Sequence, residues 1–210
     1  MCITEADYKE IIVDIGKRMY ERGFVSANDG NISIRIGKCI LTTPTGVSKG
    51  YMKPDMIVKT DLYGNVLEGS LKPSSEMKMH LRVYSENPNV KCVCHAHPPV
   101  STSFAVCGKS LNEPILAEAV LNLKEVPCVA YGELGSDEIP ELISPYINSH
   151  RALLLGNHGV ITWGEEPYRT YYLLESVEQF AKVTMLSGMI GDTKKLTETE
   201  VNRLLVLGGF

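Results

Sequence analysis

Val90-Lys91-Cys92-Val93-Cys94-His95-Ala96-His97 runs directly into Pro98-Pro99 and carries the pattern that orients the whole chain. Its apolar content predicts a strand, and the two prolines end it because proline has no N–H to give to a ladder. Side chains two apart on a strand share a face, so His95 and His97 point one way while Cys92 and Cys94 point the other. Buried free thiols behave as small hydrophobes, so the cysteines are expected against a packed layer rather than on a metal. An isolated H-x-H pair is equally compatible with two hydrogen-bonded structural histidines and with two metal ligands.

Working outward, Pro73-Ser74-Ser75-Glu76 precedes Met77, Leu81 and Tyr84, which predicts a helix from near Ser74 to just before Pro88. Farther upstream, Asn31 to Ile36 alternates polar and apolar, and Lys38 to Thr42 is its hairpin partner across Gly37. Met56 to Thr60 pairs with Val66 to Leu67 across Tyr63-Gly64-Asn65, completing an antiparallel meander. Ile11, Ile12, Ile15 and Met19 recur at helical spacing between Thr4 and Arg22, with Gly23 placed to stop that helix. Downstream, helices are expected over Pro99 to Val106, Leu116 to Leu123, Glu138 to Ile147 and Pro167 to Ser187. Arg151 to Leu155 and Val160 to Trp163 form a strand pair turning at Gly156-Asn157-His158-Gly159. No repeat or linker interrupts the chain. The expectation is one domain over residues 1–210, an α/β three-layer sandwich with a central, mainly antiparallel sheet flanked by helices.

Composition bounds the function. With 210 residues, 44% of them hydrophobic, the chain can bury a sizeable core, and a net charge of −4 leaves no basic surface for a nucleic-acid partner. No apolar run approaches the ~20 residues that span a bilayer, and Met1 to Tyr8 lacks the basic start and apolar stretch of a secretory signal. A soluble cytoplasmic protein with no membrane association is expected. The six cysteines (Cys2, Cys39, Cys92, Cys94, Cys107, Cys128) are scattered in a chain of ordinary core composition and are read as reduced.

His158 changes the meaning of the H-x-H pair, because a bulky polar ring at a tight turn between two apolar strands has no packing reason to be there. Three imidazoles suit zinc, and a catalytic site leaves a fourth position for water, a carboxylate or substrate. His80 and His150 are read as structural. Pro73-Ser74-Ser75-Glu76 places hydroxyls at a helix start, where free N–H groups and the helix dipole favour an anion; a carboxylate there is also an ordinary cap. Asn28-Asp29-Gly30-Asn31 and Thr42-Thr43-Pro44-Thr45-Gly46 have the same Gly- and hydroxyl-rich character, though each taken singly is more often only a turn.

Together, Gly30-Asn31-Ile32-Ser33, Thr43-Pro44-Thr45-Gly46, Pro73-Ser74-Ser75-Glu76, His95-Ala96-His97 and Asn157-His158-Gly159 resemble, in order and spacing, the motifs of the class II aldolase and adducin family. The similarity covers nearly the whole chain and is nearest to the branch acting on L-fuculose 1-phosphate and related 5-deoxypentulose phosphates. It implies a metal-dependent retro-aldol cleavage that yields dihydroxyacetone phosphate and an aldehyde. It further implies His95, His97 and His158 as ligands of Zn2+ (with Mn2+ or Co2+ as alternatives), and Glu76 as both a metal ligand and the acid/base. Asn28, Gly30, Asn31, Thr45, Gly46, Ser74 and Ser75 fall where the family holds the substrate phosphate, and the family assembles as a homotetramer with active sites between subunits. Fuculose-phosphate aldolases carry a tyrosine after the H-x-H strand; the corresponding Ile115-Leu116-Ala117-Glu118-Ala119 has none, which makes Glu118 the candidate proton donor on the aldehyde side. Two other members of the family are the alternatives. The L-ribulose-5-phosphate 4-epimerases have aspartate where this chain has Glu76 and a longer C-terminus, and the adducin-like binding modules lack the histidine set.

Overall fold

A computed structural model describes residues 3–210, so Cys2 lies outside the described residues. Eight strands form one sheet: β1 (Asn31–Ile36), β2 (Cys39–Thr42), β3 (Val58–Asp61), β4 (Val66–Glu68), β5 (Cys92–Ala96), β6 (Cys128–Val129), β7 (Ala152–Leu155) and β8 (Gly159–Gly164). Their order across the sheet is β4-β3-β2-β1-β5-β8-β7-β6. Every neighbouring pair is antiparallel except β6 with β7. Seven α-helices cover it: α1 (Glu5–Glu21), α2 (Met77–Glu86), α3 (Pro99–Val106), α4 (Ala117–Leu123), α5 (Glu138–Ile143), α6 (Pro167–Ile190) and α7 (Glu198–Gly208).

The alternation of β5 divides the core into two layers. Cys92, Cys94 and Ala96 join Ile32, Ile34, Leu41 and Val160 against α1, α3, α4 and α6. Val93, with Leu153, Ile161 and Trp163, packs instead beneath α2 and α5. The three-layer expectation therefore holds, with β5 buried on both faces in the middle of the sheet. The described cysteines are free, and the Cys92 and Cys94 sulfurs lie 3.9 Å apart inside the apolar layer.

Element boundaries differ from the sequence expectation where turns compete with regular structure. Pro54–Met56 forms a 3₁₀ turn, so β3 begins at Val58 rather than Met56. Residues 74–76 stay out of the helix, and α2 begins at Met77. The helix expected to reach Ile147 ends at Ile143, because Ser144–Tyr146 tightens into a 3₁₀ turn around Pro145. The short β6 and the C-terminal α7 were not expected from the sequence. α6 runs three residues beyond Ser187, started by Pro167 and by Glu166, whose carboxylate accepts the N–H groups of Tyr168 and Arg169.

Candidate active site

The sheet brings the motifs together at the C-terminal end of β5. Asn31 pairs directly with His95 across β1 and β5, and Ala96 pairs with Val160 across β5 and β8. The β7–β8 turn thereby sets His158 beside the end of β5, helped by Asn157 in the left-handed region (φ 56°), a conformation Asn tolerates. Two glycines make the approach possible. A Cβ on Gly159 would meet His97 Cδ2 at 2.5 Å and the Ala96 carbonyl at 2.6 Å; one on Gly30, whose φ is already 72°, would meet Val25 at 2.6 Å and the His95 carbonyl at 2.9 Å.

The nitrogens of His95, His97 and His158 lie within 4.8 Å of one another. His95 is fully buried, and its Nδ1 lies 2.9 Å from the Val160 carbonyl, which fixes the proton there and leaves Nε2 as a bare lone pair facing His97 Nε2 at 2.9 Å. His97 Nδ1 faces the Asp29 carboxylate at 3.7 Å. Burial pushes the pKa of His95 well below that of a free imidazole and lowers that of His97, keeping both neutral, the form that binds metal.

Glu76 completes the cluster. Although it occupies the N-cap of α2, its side chain makes no capping bond. One oxygen lies 2.9 Å from His158 Nε2 without hydrogen-bond alignment, and the other lies 3.4 Å from His95 Nε2 and accepts from Asn31 Nδ2 at 2.7 Å. Burial raises its pKa, but His95, His158 and Asn31 outweigh that and hold the carboxyl well below the usual carboxylate range. Three imidazoles and one ionised carboxylate, with a carboxylate oxygen and His158 Nδ1 both buried and unpaired, form a donor set that fits a divalent metal ion.

Beside the cluster opens a cavity of about 330 Å³. Of the residues singled out from sequence, Asn28, Gly30, Asn31, Thr45, Ser74, Ser75, Glu76, His97 and His158 line it, His95 is buried behind it, and Gly46 shapes the adjoining turn at φ 74°. The Thr43–Thr45 and Lys72–Ser74 segments are tied together by Thr45 N–H to the Lys72 carbonyl at 3.0 Å and Ser74 N–H to the Thr43 carbonyl at 3.2 Å. Glu118 is not brought in. It is exposed on α4, whose other side buries Ala119, Val120 and Leu123, and within one chain it does not reach the cavity. The sequence reading also missed cavity residues: Asp29, Pro44, Lys49, Leu134 and Gly135. Asp29 and Pro44 lay inside motifs already singled out, whereas Lys49 and the Leu134-Gly135 turn carried no local signal. His80 and His150 are structural, as expected: His80 bonds Ser33 Oγ at 2.7 Å, and His150 contacts Ser149 and Glu125.

Residues 10–185 match the family described as Class II Aldolase and Adducin N-terminal domain. The chain is 34% identical over 174 residues to an L-fuculose phosphate aldolase of Methanococcus maripaludis, covering 83% of this chain and 94% of that one. It is 33% identical over 209 residues to a 3-oxo-tetronate 4-phosphate decarboxylase of Haemophilus influenzae, covering 96% and 98%. A solved L-fuculose 1-phosphate aldolase superposes with a TM-score of 0.90 at 27% identity over 97% of each chain. The chain belongs to the class II aldolase and adducin family, and it is an enzyme of the class II aldolase type.

Proposed function

We propose that this enzyme cleaves a short phosphorylated ketose, of the L-fuculose 1-phosphate or 5-deoxypentulose 1-phosphate type, into dihydroxyacetone phosphate and an aldehyde, with zinc held by His95, His97, His158 and Glu76. The observation that carries this reading is the Glu76 carboxylate set among three imidazoles on the wall of a cavity large enough for a small sugar phosphate. Zinc there would supply Lewis-acid polarisation of the ketose carbonyl, so no lysine Schiff base is needed. Asn28, Gly30, Asn31, Thr45, Gly46, Ser74 and Ser75 anchor the phosphate through backbone N–H groups, hydroxyls and amides, which orients the bond that breaks. When that carbon–carbon bond breaks, its electron pair stays with the carbon beside the carbonyl, and Glu76, freed from the cluster, takes up a proton from water, which receives the one released by the departing hydroxyl, and delivers it to that carbon. The hydroxyl on the departing half loses its proton as it becomes the aldehyde. Given its place on α4, Glu118 can assist there only from a neighbouring subunit.

The same reading takes residues 1–210 as one cytoplasmic domain that assembles as a homotetramer, a surface role suited to exposed Met189, Ile190, Val206 and Leu207. A second reading has its own support, because the match to the decarboxylase extends over 96% of this chain and 98% of that relative. Decarboxylation of a 3-oxo acid phosphate also leaves electrons beside a carbonyl and would use the same residues. Incubating the purified protein with candidate ketose phosphates and with 3-oxo-tetronate 4-phosphate separates the two. Dihydroxyacetone phosphate released together with an aldehyde from a ketose phosphate supports the aldolase; dihydroxyacetone phosphate released with carbon dioxide from the oxo acid, with the ketose phosphates left intact, replaces the aldolase by the decarboxylase.

A further inference from the structure

Lys49 is 1% exposed, a rare fate for a lysine, in a 3₁₀ turn (Lys49–Tyr51) against which α1 packs closely. The approach is backbone-tight, since a Cβ on Gly16 of α1 would meet the Lys49 carbonyl at 3.0 Å. Its ammonium reaches back under the cavity and donates to the Asn28 carbonyl at 3.0 Å and the Val47 carbonyl at 2.7 Å. Those carbonyls belong to two segments, residues 28–31 and 45–47, that both contribute residues to the cavity lining. Two neutral carbonyls satisfy hydrogen bonds but not the charge. The carboxylates that line the cavity, Asp29 and Glu76, turn toward the histidines instead, and among the described residues no carboxylate forms an ion pair with Lys49. A buried ammonium without a counter-charge is expensive, so a fold that keeps one beside an open cavity stands ready for an anion from outside. Lys49 is also the one lysine or arginine among the described residues that line this cavity.

We propose that Lys49 is the positioning residue of the anion subsite, clamping the two loops together and supplying the positive charge that makes the subsite selective for a phosphate dianion. This rests on the phosphate reading given above and extends it to a residue outside the motifs. The loops offer oriented but uncharged donors; the ammonium beneath them adds the long-range attraction that separates a dianion from a neutral hydroxyl. Burial lowers the Lys49 pKa to about 8, opposed by Asp29 and Glu76, so the side chain is still cationic at neutral pH.

The test is calorimetric titration of inorganic phosphate into the purified protein as isolated, comparing wild type, Lys49→Met and Lys49→Arg. The methionine variant, close in shape and neutral, should bind phosphate at least about tenfold more weakly, while arginine restores most of the affinity because it keeps the charge. Equal phosphate affinity in wild type and Lys49→Met overturns the role of Lys49 and leaves the phosphate subsite standing. A wild-type protein that binds no phosphate overturns the subsite itself, and with it the role of Lys49. If Lys49→Met does not fold, lysine carrying ¹³C at Cε reports on the wild type, the buried side chain being the resonance untouched by a soluble paramagnetic agent. That resonance should shift as phosphate binds, and saturable binding with no shift in it overturns the proposal.

Discussion

Glu76 stands at a helix start yet caps nothing; its oxygens turn instead to Asn31, His95 and His158. If its work is proton transfer while the histidines hold the metal, Glu76→Gln should keep most of the metal and still bind substrate. Turnover should fall by ~10²–10⁴-fold, since the amide matches the shape but carries no proton. Exchange of the dihydroxyacetone phosphate hydrogen with deuterated water isolates that step, and a variant exchanging at the wild-type rate would remove Glu76 as the acid/base. His80, four residues along α2, makes a different prediction. It is buried among Ser33, Tyr84, Glu76 and His95, and burial lowers its pKa to about 4. The unfolded chain protonates this imidazole near 6.5 but the folded one only near 4, so its contribution to stability is complete above pH 6.5. Between pH 6.5 and 4 it should be lost progressively, by up to about 3 kcal/mol. Urea denaturation across that range should show a shallower pH dependence for His80→Asn than for wild type; identical slopes would show that His80 does not control acid stability.

Among elements, α3 is the one most directly coupled to the site, because Pro98-Pro99 joins it to His97. Its first turn is held by buried Glu178 of α6, which accepts from the Ser101 N–H and hydroxyl at 2.8 Å each and from the Val100 N–H at 3.2 Å. Lys182, one turn along α6, lies 3.6 Å from the same carboxylate. Glu178→Ala would leave these donors buried without an acceptor and should cost about 2–4 kcal/mol in denaturant unfolding. Metal affinity should weaken as well, since the segment carrying His97 loses its anchor. A loss below about 1 kcal/mol would mean that packing alone fixes α3.

At the scale of the molecule, the site is assembled from both halves of the sheet: β1 and its neighbouring turns bring the polar residues that line the cavity, while β5 and the β7–β8 turn bring the imidazoles. A metal bridging these elements binds the native state and not the unfolded chain, so it should stabilise the whole fold. Chelation should abolish activity and lower the melting temperature, and reloading with zinc should restore both. A melting temperature indifferent to chelator, with no divalent metal found by elemental analysis, would remove the metal from the fold and from the chemistry. Among the described residues, no helix is long and apolar enough to cross a membrane. If the proposed tetramer forms, it should cover the exposed apolar side chains at the end of α6 and along α7, and light scattering would detect it.

Local chemistry made much of this legible in the sequence. Helical spacing of Ile12, Ile15 and Met19, strand alternation around His95 and His97, and turn residues at Gly37 and Gly64 each act within a few residues, so α1, the meander, β5 and the shared face of two histidines could be read directly. The C-terminal helix could have been read as well: Thr197 and Glu200 form a capping box like that of Thr4 and Asp7, and Val201, Leu204 and Leu205 follow it at helical spacing. Tertiary structure alone decided where long-range partners meet. Whether Glu76 caps its helix or joins the histidines depends on β1 lying beside β5. The separation of Glu118 from the cavity of its own chain depends on how α4 packs, and the burial of Lys49 on α1 pressing against its turn. Periodicity and capping are set by neighbours in the chain, whereas desolvation and charge pairing are set by neighbours in space, and those exist only once the sheet has closed its layers.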